Sequence, residues 1–148
     1  MDFSKFDKQV DLEGLKNDIL DAEENGGSFK EVPHGNYEVA ITKLELTESK
    51  KHDPMVTCWF KILDGEFKNS LIFMNQVVTQ GFQIHIVDEF LRSLGTDVDV
   101  KFESFAQYAD MIMDVFEEVD GKLEFVLNYG ETKKGFNTFE ITDIFEVE

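Results

Sequence analysis

The chain has 148 residues, of which 42% are hydrophobic and 15 are Phe, and its 31 acidic residues against 14 Lys and Arg give a formal net charge of −17. That length fits one domain able to bury roughly 68–70% of its unfolded surface; the composition excludes a disordered chain, and the charge argues against a general polyanion binder. No apolar run is long enough to span a membrane, and the start, MDFSKFDKQVDLEG, lacks the basic-then-apolar order of a signal peptide, which predicts a cytoplasmic protein with no membrane partner.

Residues 9–24 place Leu12, Leu15, Ile19 and Leu20 at helical spacing with Asp11 as N-cap, which predicts a short acidic helix or arm, linked by NGGS at 25–28 to everything that follows. The predicted domain boundaries are 1–28 for the arm and linker and 29–148 for the main domain. From Val32 the period becomes alternating: Tyr37, Val39 and Ile41 share one face of strand one, which runs to about Glu48. After the loop Ser49 to Pro54, Val56, Cys58, Phe60 and Ile62 share a face of strand two, with Thr57, Trp59 and Lys61 opposite. Asp64-Gly65 signals a tight hairpin into strand three, 67–78. Gly81 to Leu94 reads as a helix carrying Phe82, Ile86, Phe90, Leu91 and Leu94, with Gly95 ending it. A second helix, Glu103 to Val119, carries Phe105, Ala109, Ile112, Met113 and Phe116. Leu123 to Tyr129 and 136–147 alternate as strands four and five around the loop GETKKG at 130–135.

A three-strand meander, a helical insertion and a two-strand hairpin match the OB-fold: a mainly β, five-stranded barrel with the helices between strands three and four, here preceded by the N-terminal helix. A mixed α+β sheet with both helices on one face fits the same order. In an OB-fold the ligand lies across strands two and three and is gripped by the loops joining strands one to two and four to five. Those loops hold the only two Lys-Lys pairs in the chain, Lys50-Lys51 and Lys133-Lys134; the other ten basic residues are scattered. Lysines contact phosphates and exposed aromatics stack on bases, so Lys50, Lys51, Trp59, Lys61, Lys133, Lys134 and Phe136 form the candidate site, with Lys68, Ile72 or Met74 as additions from strand three. In the competing reading Trp59 packs against the helices and the lysine pairs are merely solvated. The barrel form of the proposal brings both dilysine loops to one rim.

Other chemistry is weakly marked. His34, His52 and His85 share no ligand spacing, and GxxxxGK[ST], HExxH, GxSxG and CxxC are all missing, so no enzyme, metal or cofactor is expected. Cys58 sits in an apolar alternation and reads as a small buried hydrophobe. The terminus ITDIFEVE reads as the last strand up to Phe145; read functionally, its acids and aromatic would dock partner proteins or compete for the basic groove.

The stretch from Phe29 to Val78 resembles a small phage family catalogued as DUF669, through Pro33, Gly35, Tyr37 and Glu38, then Glu48, Ser49, Lys50 and Pro54, then Asp64, Gly65, Phe73 and Asn75. The resemblance implies a single-stranded DNA-binding protein of the OB-fold type, encoded beside replication and recombination genes, with an acidic C-terminal tail. This chain departs from that pattern in having a short terminus without a clean acidic run. The expectation is a sequence-tolerant single-stranded DNA binder, with phage replication or recombination proteins and a second copy of itself as candidate partners. The alternative is an acidic interaction module or DNA mimic that occupies a host nuclease or defence protein.

Overall fold

The computed structural model describes residues 32–147, so the predicted N-terminal helix and its linker lie outside the described residues. Strand β1 spans Gly35–Glu48, β2 Pro54–Ile62 and β3 Leu71–Val77; helices α1 (Gly81–Ser93) and α2 (Phe105–Val119) follow, then β4 (Leu123–Glu131) and β5 (Asn137–Glu146). All pairings are antiparallel and the strand order is β3-β2-β1-β4-β5. The fourteen-residue β1 serves two partners: Gly35 to Val39 pairs with β4, and Val39 to Glu48 with β2.

The predicted closed barrel is not formed. β3 and β5 stand at the two edges of an open sheet and do not pair with each other. The space between them is taken by α1, which packs against both edge strands. The sheet nevertheless curls: the ring of Phe60 on β2 stacks on Phe139 of β5 at 5.9 Å, and Phe90 of α1 meets Phe60 edge-on at 5.9 Å.

Alternation along β2 works as the sequence implies. Val56, Cys58, Phe60 and Ile62 are completely buried and join Val39, Ile41 and Leu44 of β1 in one core with both helices. Burial pushes the Cys58 thiol well above its ordinary pKa, which leaves it a protonated core side chain. The β2–β3 connection differs from the tight Asp-Gly hairpin expected. Asn69 adopts a left-handed backbone (φ 73°) and its N–H returns to Ile62, so residues 63–70 form a longer turn and β3 starts at Leu71 rather than 67.

Both helices keep their predicted spans, and Phe90, Leu91, Leu94 and Ile112 are buried as expected, but other members of the predicted faces are not. On α1, Phe82 and Ile86 are exposed, whereas Val87 and Asp88 are buried beside Phe90 and Leu91. On α2, Tyr108, Met111, Ile112, Val115 and Val119 are buried, and Phe105 and Met113 face outward. One hydrogen bond joins the two buried faces: the fully buried Tyr108 hydroxyl donates to Asp88 Oδ1 at 2.6 Å, which gives a buried carboxyl on α1 its partner on α2. Ser104 caps α2 by accepting from Gln107 N, and Gly95 follows α1 with φ 72°.

Burial first, then the Asp88 hydrogen bond and charge, push the Tyr108 hydroxyl far above its ordinary pKa of 10.0, against a smaller opposing effect of Arg92. A folded-state pKa raised above the unfolded value contributes stability that is complete below the unfolded value and is lost as pH climbs toward the folded one. Tyr108→Phe is expected to cost about 1–3 kcal/mol at neutral pH, because Asp88 is left buried without its partner. It should also flatten the alkaline decline of stability above that ordinary pKa, as read from urea melts on either side of it.

Candidate nucleic-acid interface

The cross-strand registers assemble a row of side chains on the sheet face turned away from the helices. Trp59 sits opposite Lys43 of β1 and opposite Phe73 of β3. Lys43 reaches this position because β1 carries a bulge: the register passes from Ile41 opposite Phe60 to Lys43 opposite Trp59, with Thr42 as the extra residue. The Lys43 ammonium lies 4.4 Å from the Trp59 ring centroid, an interaction worth about 0.5–1 kcal/mol at an exposed site. Phe73, 38% exposed, meets the indole edge-to-face at 5.5 Å. Lys61 is exposed on the same side of β2, and on the other side of Trp59 the Thr57 hydroxyl donates to Asn75 Oδ1 at 2.6 Å.

Trp59 is half-buried by these outward neighbours and does not face the helical core. Ile72 and Met74 point inward at 2% and 4% exposure, so the side chain β3 adds to the outer face is Phe73. Sequence reasoning missed Lys43 and Phe73. A cue for Phe73 was available, since antiparallel pairing of Cys58 with Met74 puts both on one face and Phe73 beside Trp59 on the other.

The two dilysine loops are the same structure built twice. In the β1–β2 loop Ser49 N donates to Asp53 O, His52 N to Ser49 O, and Asp53 N to the Ser49 hydroxyl. In the β4–β5 loop Thr132 N donates to Phe136 O, Gly135 N to Thr132 O, and Phe136 N to the Thr132 hydroxyl. The residue after each lysine pair is left-handed, His52 at φ 66° and Gly135 at φ 87°. Each turn thus places its lysines at the two central positions with both side chains in solvent. Among the described residues none of Lys50, Lys51, Lys61, Lys133 and Lys134 is in an ion pair, so their charge is not neutralised within the fold.

The two turns do not share a rim. Glu48 pairs with Pro54 at the C-terminal end of β1, whereas Gly35 at its N-terminal end pairs with Tyr129 near the end of β4. The lysine pairs therefore lie beyond opposite ends of β1, a strand of roughly 46 Å if straight at about 3.3 Å per residue. The Lys43–Trp59–Phe73 row lies between them. At the β4–β5 end His34 Nε2 lies 3.1 Å from Asn137 Oδ1 and its ring meets Tyr129 edge-on at 4.8 Å, which ties the loop base to the residues before β1. Phe136 is 68% exposed next to Lys134.

Charge is unevenly distributed along the chain. Segment 39–80, which builds most of the outer face, has five acidic and five basic residues; segment 81–120, which builds the helices, has ten acidic and two basic. Among the described residues the helical segment thus carries a larger negative excess than segment 39–80, which makes the outer face less repulsive to a polyanion than the helical side. Among the described residues no three His, Cys, Asp or Glu side chains cluster to hold a metal ion, and no helix is long and apolar enough to cross a membrane.

Residues 18–133 match the model of a protein family described as a protein of unknown function, DUF669. No curated protein matches the chain.

Proposed function

The chain belongs to the DUF669 family, and we propose that it binds single-stranded DNA, without sequence preference and without catalysis, on the outer face of β1, β2 and β3. The observation that carries this reading is the Lys43–Trp59–Phe73 row flanked by two equivalent dilysine turns. A base stacks on the indole once Lys43 swings off its face to a phosphate, and Lys50-Lys51 and Lys133-Lys134 hold the backbone at either end. Phe136 offers a further stacking surface beside the second pair. The open sheet of order β3-β2-β1-β4-β5 supports a comparison with OB folds, five-stranded, partly open barrels that bind oligonucleotides on strands two and three. With the phage resemblance, this supports a protein that acts on single strands exposed during replication or recombination, in the host cytoplasm beside the enzymes of those processes.

Titration with oligo-dT is expected to quench Trp59 saturably. Three or four lysine–phosphate contacts at about −0.7 each predict a slope of roughly −2 to −3 for log affinity against log salt. A flat salt dependence would remove the phosphate contacts from the proposal. The acidic helical segment 81–120 favours one competing reading, an interaction protein or DNA mimic aimed at a basic partner. An unquenched Trp59 up to high micromolar oligonucleotide would select that reading.

A further inference from the structure

The bulge at Thr42 sets an acid as well as a base on the outer face. Beyond it Lys43 lies opposite Trp59 and Glu45 opposite Thr57, and residues two apart on a strand share a face. Lys43 Nζ is 3.4 Å from Glu45 Oε1 and 4.4 Å from the Trp59 ring centroid, so one ammonium bridges a carboxylate and an indole face.

That arrangement sets Lys43 apart from the other lysines of the site. Among the described residues Lys50, Lys51, Lys61, Lys133 and Lys134 are in no ion pair, whereas Lys43, which covers the stacking ring, is held by Glu45, and neither of these two has a second ion-pair partner. At 39% and 41% exposure, the two side chains can part without disturbing the core.

We propose that Glu45 is a positioning residue that keeps the stacking platform closed: it holds the Lys43 ammonium over the indole until a single strand offers a phosphate to Lys43 and a base to Trp59. The inference rests on the DNA-binding reading of this face and adds what sets its selectivity. A phosphate alone wins Lys43 only by uncovering the indole, and a base alone wins the indole only by pushing the ammonium off it. A strand supplies both replacements together. Once Lys43 has left, the Glu45 carboxylate faces the strand unpaired and opposes it, as a like charge does across any interface. Glu45 therefore lowers affinity and favours ligands that carry base and phosphate on one chain.

Trp59 is the only tryptophan, so fluorescence quenching of the full chain by acrylamide, a neutral quencher, reads the closure without DNA. In the unmodified protein the quenching constant is expected to rise with added salt, which screens the Lys43–Glu45 pair. Glu45→Gln should start at the higher value and respond little to salt, and Lys43→Ala should match or exceed it. Glu140→Gln, which removes an equal charge from β5, should behave as the parent. Toward oligo-dT, Glu45→Gln should bind about two- to five-fold more tightly, the equivalent of one exposed ion pair. Its salt slope should steepen by up to about 0.7, because Lys43 then reaches a phosphate without leaving a carboxylate behind. Parental quenching in Glu45→Gln, or an equal gain in oligo-dT affinity from Glu140→Gln, would overturn the proposal. Failure of the parent and every variant to bind oligo-dT would remove the DNA reading and the release step with it, a result separate from the acrylamide series, which decides closure by itself.

Discussion

Replacing Trp59 with alanine is expected to weaken binding to oligo-dT by about 1–3 kcal/mol, roughly 5- to 150-fold, the range for losing one aromatic–base stack. The expectation rests on where the indole sits. It is central to the outer face, held by Phe73 on one flank and covered by Lys43, so its orientation is set before a ligand arrives. Trp59→Phe should keep part of the stack and fall between the two. Phe136→Ala, in a hairpin turn rather than on a strand, should cost less, because a ring exposed to solvent and held by no neighbouring ring among the described residues must be ordered on binding, which offsets part of the stacking gain. The measurement is fluorescence polarisation of labelled oligo-dT at one salt concentration, alongside thermal melts. Since Trp59 lies outside the core but is half-buried against Lys43 and Phe73, Trp59→Ala should remain folded and melt roughly a few degrees below the parent protein. Parental affinity in a folded Trp59→Ala would rule out the stacking platform.

Much of this site was legible because it depends on short-range pattern. Strict alternation from Val56 to Ile62 put Trp59 and Lys61 opposite the buried face, and the lysine pairs stood out against an acidic chain. What escaped depends on counts and contacts made at a distance. A one-residue bulge at Thr42 decides that Lys43 reaches Trp59, and no local signal marks it. The phase of β3 follows from the length of the 63–70 turn, which Asp64-Gly65 suggested would be shorter. Of the expected stripe on α1, Phe90, Leu91 and Leu94 are buried, but Val87 and Asp88 take the buried places that Phe82 and Ile86 were expected to fill, and the Asp88–Tyr108 hydrogen bond that joins the two helices is not visible in either helix's own apolar spacing. Closure of the barrel was undone in the same way. Strand count and order agreed with a barrel, but whether β3 meets β5 is decided by how much of the gap α1 fills.

That gap makes Phe60 the residue whose loss should cost most. In a closed barrel, hydrogen bonds between the third and fifth strands would hold the curl of the sheet; here side chains must do so. Phe60 is completely buried, stacks on Phe139 from β5 and meets Phe90 from α1, so one ring on β2 joins the far edge strand and the helix. Phe60→Ala removes both contacts and leaves a cavity where three elements converge, for an expected loss of about 3–5 kcal/mol. Against a total stability of about 5–15 kcal/mol, that is enough to leave the variant marginal. Phe60→Leu, which fills most of the volume without the ring contacts, should lose much less. Urea unfolding followed by far-UV circular dichroism measures both. If the curl depends on Phe60, the m-value of Phe60→Ala should also fall, because a β5 already detached in the native state leaves less surface to expose. A loss below about 1 kcal/mol would instead show that α1 alone holds the two edges together.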